Sequence, residues 1–256
     1  MEQLTCAIVQ YDIQWHDPEH NFQICEDYIN EVSANLIVLP EMFNTGFSND
    51  VQAISEPMDG PTVTWMLEVS AKYGRAVCGS LVIKEKDKYY NRFILVHDGQ
   101  TLYVDKRHLF SMGGEDKRFT AASSRGVITY KSWRLLPIIC YDLRFPVWCR
   151  NDINYDALLC VANWPAVRIH HWDRLLMARA IENQSYVIAC NRVGVDGHNL
   201  SYPGHSQVID PMGQYINSPE DRPGVLTADL SKSYVHNIRQ KYPFSSDRDP
   251  FNLSTK

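Results

Sequence analysis

The sequence is poor in the features that announce most specialised classes of protein. It has no CxxC pair, and its cysteines are odd in number: Cys6, Cys25, Cys78, Cys140, Cys149, Cys160 and Cys190. That argues against a disulfide framework and against zinc-ribbon ligation, and no metal or organic cofactor is expected. No apolar run reaches the roughly 18–20 residues of a membrane-spanning helix, so no membrane partner is expected. The opening MEQLTCAIVQYD lacks the basic start of a signal peptide, and its short apolar run resembles a strand. The expectation is a cytoplasmic protein, in which the NxS triplets at Asn183, Asn199 and Asn252 carry no meaning. Lys and Arg are dispersed and the formal net charge is −5, which argues against a nucleic-acid partner. No internal repeat, low-complexity tract or Gly/Ser linker divides the chain, so residues 1–256 read as one domain.

What is present is an ordinary globular composition, 45% hydrophobic and 21% charged, long enough to bury a sizeable core without staples. Candidate strands are short, β-branched and apolar: 5–10, 35–40, 76–83, 91–97, 101–105, 134–140, 157–163, 186–193, 205–210 and 224–230. Most cysteines sit inside such segments, where a free thiol behaves as a small hydrophobe. Phe22, Cys25, Ile29 and Val32 recur at +3 and +4 spacing, one face of a helix. Residues 62–74 and 172–185 also read as helices, with Gly74 and Asn183 as stop signals. This order implies a layered α/β fold, and the continuously apolar strands imply sheets covered on both faces. Pro137 is awkward inside a strand because it removes a ladder donor, so it is expected to open the strand or mark a bulge.

The stretch PIICYDLRFP, residues 137–146, carries the first chemical signal. Cys140 ends an apolar run, and the residues after it read as a tight turn into a helix with Pro146 in its first turn. Such an elbow displays a side chain at its tip beside helix N–H donors. Cys140 is then either a buried hydrophobe or a nucleophile that needs a base and a positive field. Glu41, in LIVLPEMF, lies just past a strand, where open α/β sheets place ligands. It is a candidate base or a solvated loop carboxylate. Lys106, just past TLYVD, is a candidate oxyanion cation or a surface lysine. Glu115, in the glycine-rich MGGEDKRF, lies on a loop able to cover a pocket, or is one more exposed charge.

Taken in order, EMF, DKRHLF, GGEDKRF and CYDLRFP form a pattern that resembles the nitrilase, or carbon–nitrogen hydrolase, superfamily. The resemblance covers nearly the whole chain. VANWP (161–165), RAIENQSYVIACNRVG (179–194) and GHSQVIDPMG (204–213) resemble its omega-amidase branch. It implies an α-β-β-α sandwich with two mixed sheets flanked by helices, and a Glu–Lys–Cys triad of Glu41, Lys106 and Cys140 with Glu115 as second glutamate. It also implies a homodimer or higher homo-oligomer, with residues from about 231 to 256 as a C-terminal extension at the dimer contact.

The implied reaction is amide hydrolysis through a cysteine thioester, with Lys106 and the backbone N–H of Tyr141 holding the oxyanion. Asp142 is expected to cap the elbow. The branch implies a short dicarboxylic monoamide, 2-oxoglutaramate or 2-oxosuccinamate, as substrate. A remote carboxylate calls for a guanidinium, for which Arg144 and Arg192 are candidates. Phe43, Phe119 and Trp164 are candidate pocket walls. Competing readings are an amidase for deaminated glutathione or an N-carbamoyl compound, a true nitrilase, and a non-catalytic binding member. A serine hydrolase built on Ser206, His205 and Asp210 lacks a GxSxG elbow. A metal site at His170, His171 and Asp173 is disfavoured because adjacent residues do not share a helix face.

Overall fold

A computed structural model describes residues 2–253. The first sheet begins with β1 (Gln3–Gln10), and α1 (Pro18–Glu31) leads to β2 (Leu36–Val38). A single turn, α2 (Val51–Ile54), and then α3 (Pro61–Tyr73) lead to β3 (Ala76–Glu85), β4 (Lys88–His97) and β5 (Gln100–Asp105). The second sheet begins with β6 (Ile128–Tyr130) and β7 (Trp133–Ile139), then the short α4 (Pro146–Cys149), β8 (Ala157–Ala162), α5 (Ile169–Asn183) and β9 (Tyr186–Asn191). A separate hairpin, β10 (Val193–Val195) and β11 (Ser201–Pro203), precedes β12 (Gln207–Ile209) and β13 (Tyr215–Asn217). β14 (Gly224–Ser231) returns to the first sheet, and α6 (Lys232–Lys241) follows it.

The two six-stranded sheets run β14-β1-β2-β3-β4-β5 and β6-β7-β8-β9-β12-β13. Both repeat one pairing pattern. An antiparallel edge pair is followed by two parallel pairs and then two antiparallel pairs. The mixed sheets flanked by helices agree with the expected sandwich.

Side-chain alternation along each strand builds three apolar layers. Inward residues of both sheets, among them Leu4, Cys6, Val38, Phe93, Leu135, Leu159, Ile188 and Leu230, form one shared core. The opposite faces carry helices: Val9, Ile37 and Val77 pack on Cys25 and Ile29 of α1 and on Val63 and Met66 of α3. Leu158, Cys160 and Val187 pack on Trp172, Leu176 and Ala180 of α5. Burial on both faces is why the strands read as continuous apolar runs.

The helix signals are met locally. The Asp17 side chain accepts a bond from the His20 backbone N–H at 3.2 Å, with Pro18 opening α1. Gly74 ends α3 at φ +64°, with its N–H on the Ser70 carbonyl. Pro137 does not open β7 but lies within it. The β6 pairing stops at Leu135, so Pro137 has a ladder neighbour only in β8, an edge position where a missing N–H is tolerated. The segment after Cys140 is a 3-10 turn, Cys140–Arg144, leading into the single turn of α4, which Pro146 opens as expected. Of the expected C-terminal extension, residues 254–256 lie outside the described residues.

Candidate active site

Strand ends from both sheets converge on one place. Glu41 follows β2 across Pro40, and Lys106 directly follows β5. Cys140 directly follows β7, and Asn163 directly follows β8. Glu115 comes from the short 3-10 turn Glu115–Lys117. The first sheet thus supplies the carboxylate and cation, the second the thiol.

Three charged side chains are buried together. Glu41 and Glu115 are 0% exposed and Lys106 is 1% exposed. The Lys106 ammonium lies 2.9 Å from Glu41 Oε1 and 2.9 Å from Glu115 Oε2. Asn91 Nδ2 donates to Glu41 Oε1 at 2.8 Å and to Glu115 Oε1 at 3.2 Å. The remaining acceptors are used too: the Asn163 backbone N–H donates to Glu41 Oε2 at 2.8 Å and the Phe110 N–H to Glu115 Oε2 at 2.6 Å. Buried charges persist only when paired and hydrogen-bonded in this way. Burial opposes the charge on Lys106, but the carboxylates of Glu115 and Glu41 outweigh it and hold the ammonium above its ordinary value. Burial raises the Glu115 carboxyl, Lys106 opposes that shift and Glu41 adds to it.

Cys140 sits at the tip of the turn with φ +47°, a conformation non-glycine residues seldom adopt. Its strain is held by the next residues. Asp142 Oδ2 accepts from the Ile139 N–H at 3.1 Å, so Asp142 caps the elbow. Burial and the Glu41 carboxylate push the Cys140 thiol well above its ordinary pKa, and Lys106 works against them. The thiol is therefore neutral near pH 7 and needs a base beside it. The Tyr141 N–H is second in the turn, where no partner within the turn is available.

These groups line a cavity of about 340 Å³. Its inner end holds Glu41, Lys106, Cys140 and Asn163, and its walls include Phe47, Phe110, Tyr141, Trp164, Leu200 and Tyr202. Arg144, Arg168 and His198 also face it. The Arg144 guanidinium lies over the Trp164 ring at 4.8 Å, and that of Arg168 over the Phe110 ring at 5.4 Å. Among the described residues neither arginine has a carboxylate partner. Burial and the Arg168 charge lower the Arg144 pKa.

Comparison with known proteins gives the family. The family model described as carbon-nitrogen hydrolase matches residues 5–240. The chain belongs to the carbon–nitrogen hydrolase family. Omega-amidase YafV of Escherichia coli is 40% identical over 256 residues, 99% of this chain and 100% of the relative. The 2-oxoglutaramate amidase of Bacillus subtilis is 32% identical over 251 residues, 95% of this chain and 96% of the relative. XC1258 from Xanthomonas campestris, a superfamily member with an arsenic adduct in its active site, superposes with a TM-score of 0.95. It is 41% identical, over 99% of this chain and 100% of the neighbour.

In this carbon–nitrogen hydrolase the structure brings Glu41, Lys106, Glu115, Cys140, Tyr141, Arg144 and Trp164 to one cavity, Glu115 from behind Lys106. Three expected pocket residues lie elsewhere. Arg192 is 0% exposed and turns away to Asp12 at 2.7 Å and to the carbonyls of Ile13 and Val195. Phe43 packs beneath the site on Trp65 and the outer face of the first sheet. Phe119 belongs to a separate cluster with Met42, Val51, Ile54 and Val82.

Ser206, His205 and Asp210 each bond elsewhere and form no triad. His205 pairs with Asp173 at 3.0 Å, buried Ser206 donates to the Asn191 carbonyl, and Asp210 accepts from the Met212 and Gln214 N–H groups. Sequence reasoning missed Asn91, Asn163 and Arg168. Asn91 and Asn163 had a faint signal, as lone amides in or at the end of apolar strands. Arg168 had none.

Proposed function

We propose that the chain is an omega-amidase, hydrolysing the terminal amide of a short dicarboxylic monoamide such as 2-oxoglutaramate or 2-oxosuccinamate. The observation that carries this reading is the pair of carboxylate-free guanidinium groups, Arg144 and Arg168, facing the cavity that also holds Cys140. Guanidinium forks match carboxylates. The relatives named omega-amidase and 2-oxoglutaramate amidase, 40% and 32% identical over nearly their full lengths, support the substrate class.

The substrate carboxylate pairs with the arginines and the amide lies against Cys140. Glu41 takes the thiol proton as sulfur attacks the carbonyl carbon. The oxyanion is held by the Lys106 ammonium and the Tyr141 N–H, donors of a kind worth roughly 3–4 kcal/mol each in a barrier. Glu41 returns its proton to the departing nitrogen, ammonia leaves, and an acyl thioester remains. Water then loses a proton to Glu41, attacks the thioester, and the acid leaves as the thiol is re-formed. Glu115 fixes the Lys106 ammonium toward the oxyanion. No step calls for a metal or organic cofactor.

Seven unpaired cysteines, six of them buried, suit a reducing compartment and support a cytoplasmic enzyme. The exposed apolar side chains of Ile181 on α5, neighbouring Met212, and Phe244 past α6 support a homodimer contact involving the C-terminal region.

Ammonia release from 2-oxoglutaramate, 2-oxosuccinamate, glutamine and a simple nitrile tests the reading. The oxo-amides are the expected substrates, and glutamine is poor because its ammonium would face two guanidinium groups. Turnover of neither oxo-amide, or of the nitrile in preference, would sink it.

A further inference from the structure

Lys106 and Cys140 belong to different sheets, whose inward side chains share one core. A polar link between them runs through Asp142, which is 2% exposed. Its Oδ1 accepts from the His108 backbone N–H at 2.8 Å and lies 2.8 Å from His108 Nδ1, while Oδ2 accepts from the Ile139 N–H. A carboxylate has no proton to give, so Nδ1 is the donor. His108 is two residues beyond Lys106, and Asp142 is two residues beyond Cys140. The His108 ring is also stacked on Phe145 at 3.7 Å and meets Trp148 edge-on at 5.7 Å, both just past the elbow. One imidazole thus joins the lysine loop to the cysteine elbow by a charge-assisted hydrogen bond and by packing.

We propose that His108 is a positioning residue whose Nδ1–H bond to Asp142 fixes the Lys106 ammonium relative to the Cys140 thiol. The inference rests on Cys140 being the nucleophile. Of the charged groups that face that thiol, Glu41 and Glu115 raise its pKa and Lys106 lowers it, and Arg144 across the cavity also interacts with it. If the tether is cut, Lys106 is still held by Glu41 and Glu115, but the elbow loses its bond to the lysine loop and the thiol shifts relative to the ammonium.

Two crossed variants separate hydrogen bonding from packing. His108→Phe keeps the aromatic stack and removes the side-chain donor. His108→Asn removes the ring and keeps an amide donor near the Nδ1 position. The readouts are the pH dependence of Cys140 alkylation by iodoacetamide, located by peptide mass, and kcat and KM for amide hydrolysis.

The expected result for His108→Phe is an alkylation profile moved to higher pH, slower by about tenfold at neutral pH for a shift of roughly one unit. Its kcat falls by a similar factor while KM stays within about twofold. His108→Asn stays near wild type in both readouts. The reverse pattern, equal impairment of both variants, or wild-type behaviour of both would overturn the proposal, because the donor would then not be what positions the site. Absence of alkylation at Cys140 in the wild-type protein would overturn the nucleophile assignment itself, and this inference with it. Alkylation needs no substrate, so a wrong choice of amide leaves this test intact.

Discussion

At the residue scale the site is an exercise in keeping two carboxylates and one ammonium out of water. Asn91, Asn163 and Lys106 occupy the carboxylate oxygens of Glu41, and the thiol is held more weakly. Its hydrogen bond to the Asn163 carbonyl is long at 3.9 Å, and hydrogen bonding with Glu41 adds to the rise in its pKa. With the thiol pKa raised, the thiolate fraction is small at neutral pH and grows about tenfold per pH unit. Alkylation of Cys140 is therefore expected to keep accelerating through pH 9; a plateau near neutrality would show a preformed thiolate. Arg168→Met is expected to raise KM for an oxo-amide about 10–100-fold, the loss of a charged hydrogen bond, with a smaller change in kcat. Equal KM values would remove Arg168 from substrate binding. The charged residues brought to the site by strand ends were legible because a charge stands just past an apolar strand, across Pro40 for Glu41 and directly for Lys106. Arg168 was not, because the start of a polar helix looks alike whether it faces solvent or a cavity. Arg192 misled for the opposite reason: it follows a strand as the site residues do, but its guanidinium pairs with Asp12 behind the Tyr202 ring and does not line the cavity.

Among the elements, the elbow and the loop after β2 carry the precision. The turn at Cys140 was readable from an apolar run broken by Tyr-Asp-Leu-Arg. Its 3-10 form was not, because that depends on Asp142 reaching both Ile139 and His108. The loop holding Glu41 rests on β3 at Gly79. A Cβ there would lie 2.7 Å from the Phe43 ring and 3.1 Å from Leu39 Cβ, so the ring must move. Gly79→Ala is expected to cost about 1–3 kcal/mol in stability, as overpacking does. It should also lower kcat, since Phe43 is two residues from Glu41. Chemical denaturation and steady-state rates check this, and an unchanged midpoint with unchanged kcat would show that the loop does not depend on the close approach.

For the whole molecule, two sheets of the same pairing pattern place matching strand ends face to face. Glu41 beyond β2 and Asn163 beyond β8 occupy corresponding positions and bond directly across the site. The continuous apolar strands made the covered sheets legible. The repeated pattern was not, because it lies in strand order and not in residue identity. If the shared core sets this geometry, a cavity in it should loosen the entire fold. Trp133 is fully buried there, and Trp133→Ala is expected to cost about 3–5 kcal/mol, read as an earlier denaturant midpoint; a loss below about 1 kcal/mol would place the stabilising core elsewhere. The central claim, that sulfur from one sheet and a carboxylate from the other carry out amide hydrolysis, is tested most directly by acid-quenching the enzyme during turnover of 2-oxoglutaramate and mapping the bound acyl group. The account predicts a thioester on the peptide containing Cys140, and neither adduct nor ammonia release in Cys140→Ala. Undiminished ammonia release by Cys140→Ala would contradict it.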